Sequence, residues 1–156
     1  MLMDDKIVLA TKEQGCEVAA LVSKLLLALV GHKRHVDPAK LAVTAEKLLS
    51  EDFGFHAFLY RINGVAVGVI TVSRSAAIYA GGNYGVIEEL YVEPEFRSKL
   101  IGKALLDKVI SFAREEGWPR LEVSTPEKEN WQRTIDFYRR EGFLENSVGE
   151  RLKLEL

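Results

Sequence analysis

The sequence holds a single cysteine, Cys16, so no disulfide can close within the chain. That suits a reducing compartment. It also lacks a long apolar run. The most apolar stretch, Leu21 to Val30, is short and is interrupted by Ser23 and Lys24, whereas a membrane span needs about 20 residues. Neither sign of charge dominates: 21 Lys and Arg against 23 Asp and Glu leave a net charge of −2, which gives no electrostatic basis for wrapping nucleic acid. His32, His35 and His56 form no His-x-x-x-His pair, so no metal site is expected. The chain contains neither Gly-x-x-x-x-Gly-Lys-Ser/Thr nor Gly-x-Gly-x-x-Gly, which removes the Walker loop and the dinucleotide fingerprint. Met1 to Lys12 carries Asp4 and Asp5 and lacks the basic-then-apolar order of a secretory signal. These absences predict a soluble, cytoplasmic protein with no membrane or nucleic-acid partner.

What is present fits one globular domain over residues 1–156. Apolar residues make up 47% and charged residues 28%, close to the average for a packed domain. A chain of this length buries about 68–70% of its unfolded surface. Lys6 to Ala10 reads as a strand. From Glu13 to Val30 the residues Val18, Leu21, Val22, Leu25 and Leu29 fall at helical spacing. Asp37-Pro38 opens a second helix reaching about Leu49. Phe55–Ile62 and Val65–Ser73 flank Asn63-Gly64 as a hairpin. A strand over Tyr84–Val92, a helix over about Ile101–Glu116, a short strand over Leu121–Ser124 and a helix over about Trp131–Glu141 follow. The alternating tail Arg151–Leu156 reads as a last strand. The order predicts a mixed α/β domain without repeats or linkers.

The segment from Ile87 to Leu106 carries the chemistry. A strand ends at Val92, a polar loop bears Arg97 and Lys99, and a helix bearing Lys103 starts near Ile101. The first amides of a helix lack intrahelical acceptors and sit at the positive end of its dipole. With basic residues around them they suit a phosphate or pyrophosphate, and Gly102 would allow close approach. A surface turn with solvated charges would use the same residues.

Leu90-Tyr91-Val92, Pro94 and Arg97-Ser98-Lys99-Leu100-Ile101-Gly102 resemble the acetyl-CoA signature of the GCN5-related N-acetyltransferases (GNAT). Downstream, Arg133-Thr134-Ile135-Asp136-Phe137-Tyr138-Arg139-Arg140-Glu141-Gly142-Phe143 is similar to the family's last-helix pattern. The order of elements agrees along nearly the whole chain. The resemblance implies a twisted mixed sheet of six to seven strands with about four helices and a V-shaped split between the fourth and fifth strands. It implies acetyl-CoA as co-substrate, its pantetheine arm lying along Leu90, Tyr91 and Val92, and its pyrophosphate held by Arg97, Ser98, Lys99, Leu100, Ile101, Gly102 and Lys103. Leu100 stands where the family usually has glycine. Asn130 is a candidate for contacting the cofactor arm, although it lies one residue early and Trp131 holds the usual place.

The implied reaction is acetyl transfer to an amine by direct attack in a ternary complex. An amine with a pKa near 10.4 is neutral in about one molecule in 2,500 at pH 7, so a base must remove its proton. Glu88 is the first candidate. Glu89, expected on the opposite face of the strand, is the second. Tyr138 matches the family's general acid for the departing thiolate. The acceptor could be a small molecule, a polyamine, an amino acid or a protein amine, and many members of the family are homodimers. A non-catalytic acyl-CoA sensor and a plain interaction domain on the same fold are the alternatives.

Overall fold

The computed structural model describes residues 6–31, 35–50, 52–126, 128–145 and 151–156, and for 128–130 the backbone alone. The chain forms two compact units, Met1–Ser124 and Thr125–Leu156.

The first unit is a five-stranded sheet in sequential order. Strands β1 (Lys6–Leu9), β2 (Phe55–Ile62), β3 (Val65–Ala77) and β4 (Gly82–Val92) are antiparallel neighbours. Strand β5 (Leu121–Val123) joins β4 in parallel. The β2–β3 hairpin forms where Asn63-Gly64 predicted it: both residues take positive φ, at 50° and 80°, the geometry a two-residue primed turn requires.

Helices α1 (Gly15–Val30) and α2 (Pro38–Ser50) cover one face of the sheet. Asp37 caps α2 as expected, its Oδ1 accepting from the amides of Ala39 and Lys40. Val18, Leu21 and Val22 of α1 pack with Ala57, Leu59, Val69 and Tyr91 of the strands. Two ion pairs hold α1 in place. Arg61 of β2 grips Glu17 through both terminal nitrogens, at 2.7 and 2.8 Å, and Lys24 reaches Glu93 just beyond β4. Helix α3 (Ile101–Glu115) covers the other face, where Ile101, Leu105, Leu106 and Val109 are buried. Phe112 of α3 stacks with His56 and Phe58 of β2 and with Trp118. Gly68 of β3 makes this close approach possible, because a Cβ there would lie 3.1 Å from Leu105 and 3.2 Å from Ile101.

The second unit contains α4 (Lys128–Arg140), with a non-helical Trp131 at φ −131° kinking it. The helix therefore begins before the predicted Trp131 and bends there. Within it Phe137 and Tyr138 stack, and Tyr138 also meets Phe143.

Among the described residues the sheet has five strands rather than six or seven. The tail 151–156 does not form the predicted strand; Leu152, Leu154 and Leu156 are exposed. Alternation gives a segment one apolar face, but a strand exists only when a ladder partner takes up its amides and carbonyls. Among the described residues no helix is long and apolar enough to cross a membrane.

Gly85 sets where β5 joins the sheet. A Cβ there would stand 2.6 Å from Leu121 and 2.7 Å from the Trp118 ring. Gly85→Ala is expected to destabilise the protein by about 1–3 kcal/mol through overpacking, read as a lowered urea midpoint. An unchanged midpoint would show that β5 and Trp118 move aside at no cost.

Candidate active site

Strand β4 is paired differently on its two sides. Toward β3 its ladder runs from Gly82 to Val92. Toward β5 it is registered only at Gly85, Val86 and Ile87, opposite Leu121, Glu122 and Val123. The stretch Glu88–Val92 thus runs on past β5, and this is the split expected between the fourth and fifth strands. Tyr91 and Val92 are buried and Leu90 half-buried. Tyr91 belongs to the core beneath α1, so the backbone of this stretch, not its side chains, is what it can present to a ligand.

A β-bulge marks the point of separation. Thr71 pairs with Glu89 and Val72 with Ile87, which leaves Glu88 as the extra residue. Its consequence corrects the alternation expected for the two carboxylates. Thr71 and Ser73, two residues apart on β3, share a face. The Ser73 hydroxyl donates to Glu88 Oε1 at 2.6 Å, and the Thr71 hydroxyl donates to Glu89 Oε2. Glu88 and Glu89 therefore lie on the same side of the sheet, the side that carries α1 and α2, because Thr71 pairs with Ala57 of that core. Glu88 is exposed and Glu89 half-buried. Burial, and then the charge of Glu88, push the Glu89 carboxyl up to about 7. Nothing in the sequence marks Thr71, because a threonine inside an apolar strand carries no signal of its partner.

The loop after β4 is wound tightly. The residues Pro94–Phe96 form a 3₁₀ turn, with Phe96 N–H donating to Glu93 O and Lys99 N–H to Phe96 O. Arg97 folds back, its Nε donating to Val92 O at 2.9 Å and its guanidinium lying 5.5 Å from the Tyr91 ring centre. It is exposed and stands at the end of the stretch of β4 that runs past β5. The Lys99 ammonium lies 5.1 Å from the Phe96 ring, and Ser98 is exposed. Lys103 pairs along the helix with Asp107. The Ile101 side chain is buried and anchors α3 to the sheet, while Gly102 is half-buried in the first turn. The first turn of α3 thus offers backbone donors with Arg97 and Lys99 nearby, the arrangement that suits an anion.

Leu100 precedes α3 with φ 59° and ψ 20°, the left-handed region, and it is 72% exposed. Its side chain contributes little packing yet occupies a conformation that costs a residue with a Cβ about 1–2 kcal/mol. It also provides no oxygen to cap the helix. Glycine's greater freedom in the unfolded chain offsets part of that cost. Leu100→Gly is therefore expected to gain about 0.5–1 kcal/mol in urea unfolding. A loss of stability would show that the leucine contributes packing.

In the second unit Tyr138 is buried, and burial pushes its phenol up from the ordinary value. The side chain of Asn130 lies outside the described residues.

Glu89 also makes stability depend on pH. The folded protein holds this proton up to about pH 7, whereas the ordinary carboxyl value is 4.5. Between those values the folded state binds more protons, so the contribution is fully present below pH 4.5 and is lost as pH rises through 7. Glu89→Gln should remove this dependence. The stability difference between wild type and variant should change by up to about 3 kcal/mol across that window, measured by urea unfolding at each pH. A constant difference would contradict the buried placement of Glu89.

Comparisons with known proteins agree with this geometry. The sequence model of the acetyltransferase (GNAT) family matches residues 26–143. A glucosamine 6-phosphate N-acetyltransferase of Trypanosoma brucei brucei is 26% identical over 132 residues, covering 82% of this chain and 86% of that protein. An uncharacterized N-acetyltransferase of Methanocaldococcus jannaschii is 30% identical over 92 residues, or 58% of this chain, and the match spans only 40% of that protein's length. A crystal structure of the ribosomal-protein-alanine N-acetyltransferase of Brucella melitensis biovar Abortus superposes with a TM-score of 0.77 at 25% identity, over 96% of this chain and 99% of that one. With a family match over most of its length and a fourth strand that outruns its parallel neighbour, the chain belongs to the acetyltransferase (GNAT) family.

Proposed function

We propose that the protein is an acetyl-CoA-dependent N-acetyltransferase acting on an amine by direct attack in a ternary complex. The observation that carries this reading is the stretch of β4 beyond its last pairing with β5, leading into the basic start of α3. An extended pantetheine arm would add to the backbone of Leu90, Tyr91 and Val92 as a strand adds to a sheet edge. The pyrophosphate would sit at the first turn of α3, over the amides of Ile101, Gly102 and Lys103, with Arg97, Ser98 and Lys99 beside it. In this reading residues 1–156 serve as one N-acetyltransferase domain, and Asn130 contacts the cofactor arm.

The amine reaches the site as an ammonium, and a carboxylate of the bulge, Glu88 or Glu89, takes its proton. The freed nitrogen attacks the thioester carbonyl, the carbon–sulfur bond breaks, and the thiolate leaves. Tyr138 supplies the thiolate's proton. The nitrogen, cationic after attack, gives its second proton to water, from which the Tyr138 phenolate regains one. A phenol raised by burial stays protonated across the neutral range, as a general acid must. The names of the relatives span an amino sugar phosphate and a protein alanine, and this spread leaves the acceptor open. The sensor alternative keeps the same cofactor site without turnover.

Acetyl-CoA should raise the unfolding free energy by about 2.7 kcal/mol at a hundredfold excess over its dissociation constant. Arg97→Glu should lose most of that gain, because a carboxylate would face the pyrophosphate. Tyr138→Phe should retain binding while turnover falls about 10²–10⁴-fold. Thermal melts with and without acetyl-CoA, and CoA release with a panel of amines, check these outcomes. No stabilisation by millimolar acetyl-CoA would remove the reading. Stabilisation without CoA release from any amine would favour the sensor, and full turnover by Tyr138→Phe would return that residue to the core.

A further inference from the structure

Two carboxylates share the bulge, and their surroundings differ. Glu88 is exposed and rests on Ser73. Glu89 is held twice by one residue: the Thr71 hydroxyl donates to its Oε2, and the same Oγ1 accepts from the Glu89 backbone amide at 3.0 Å. Thr71 is 1% exposed, so its hydroxyl cannot turn to bulk water. With the amide directed at the Thr71 oxygen, the hydroxyl hydrogen is left to point at Oε2, and Oε1 is the oxygen that can receive a proton. Thr71 and Glu89 are register partners and so share a face, and the bulge brings Glu88 to that face as well.

We propose that Glu89 is the base that takes the proton of the incoming amine, and that Thr71 is the positioning residue that holds it. The proposal rests on the acetyltransferase reading and names which carboxylate works in it. In the proton step an ammonium N–H bond breaks, an O–H bond forms at Glu89 Oε1, and the electron pair stays on nitrogen for attack on the thioester. The exposed Glu88 lies beside this pair, where an incoming ammonium would pass it.

Among the described residues, the charged groups with partners on neighbouring elements are these. On α1, Lys24 is bonded to Glu93, and Glu17 to Arg61 of β2. Glu46 of α2 lies against Cys16 of α1. Glu122 of β5 is paired with Arg120. β3 presents the uncharged Thr71 and Ser73. The charge that acts on Glu89 is that of Glu88, and together with burial it places the carboxyl near 7, where a base is half ionised at neutral pH and still accepts a proton readily.

The test has two arms. The first needs no turnover. In the cofactor-free protein with ¹³C-labelled glutamate carboxyls, the signal missing from Glu89→Gln should titrate near 7 in wild type. It should move to lower pH in Glu88→Gln, which removes a like charge. In Thr71→Val it should move up by about one unit, the order expected for losing one hydrogen bond to a charged group. Thr71→Ser, which keeps the hydroxyl, should bring it back.

The second arm is kcat/KM against pH with the amine found by the panel. Its acidic limb should follow the same shifts, and Glu89→Gln should lose the limb together with about 10²–10⁴-fold in kcat/KM. A limb that survives in Glu89→Gln and vanishes in Glu88→Gln would overturn the assignment of the base. A carboxyl or a limb unmoved by Thr71→Val would overturn the role of Thr71. Both results leave the acetyltransferase reading intact. Absence of turnover by wild type with every amine overturns that reading, and the assignment of a catalytic base with it, whatever the carboxyl titration shows.

Discussion

At Glu88 one extra residue enters β4, and on it the organisation of the site depends. On the β3 side the bulge brings Glu88 and Glu89 onto one face, where Ser73 and Thr71 take them up. On the β5 side the last registered pair is Ile87 with Val123, immediately before the bulge. A bulge bends its strand and interrupts the ladder locally. Here it coincides with the change from a strand with two neighbours to a strand with one. The carboxylates and the backbone that β5 leaves open are thus placed together at a single irregularity, next to a loop that leads directly into α3.

The surrounding fold holds that irregularity in position. Beneath α1, Tyr91 packs among Leu59, Val69 and Val22, so the strand beyond the bulge is fixed although β5 no longer pairs with it. Lys24 ties α1 to Glu93 at the end of β4. From the other face Ile101 and Leu105 reach the sheet at Gly68, which sets the height of the α3 N-terminus. Arg97 closes the strand by bonding the Val92 carbonyl. Surface ion pairs are individually worth about 0–1 kcal/mol. Their part here is to fix register more than to supply stability, while the buried apolar side chains supply most of the latter.

Much of this was legible in the sequence, and the reasons are local. Asn63-Gly64 and Asp37-Pro38 act through backbone preferences of a few residues, and the structure places a hairpin and a capped helix at those points. The strand–loop–helix from Leu90 to Gly102 was legible because its residue types follow a chemical pattern in consecutive order. What was not legible depends on pairing. Alternation put Glu88 and Glu89 on opposite faces, and only the register against β3 reveals the bulge that brings them together. Thr71 could not be singled out because its partner lies 18 residues away. The leucine alternation of 151–156 predicts a strand, but no sequence pattern supplies the neighbour that would make it one. The positive φ of Leu100 was likewise visible only as a departure from the usual glycine.

The central claim is that the stretch of β4 beyond β5 and the first turn of α3 receive one ligand, acetyl-CoA. Backbone amide hydrogen exchange during titration with acetyl-CoA tests it most directly. The account predicts slowed exchange at amides within Leu90, Tyr91 and Val92 and at Ile101, Gly102 and Lys103 together, saturating at the same ligand concentration. Saturable binding that leaves both groups of amides unchanged would contradict it.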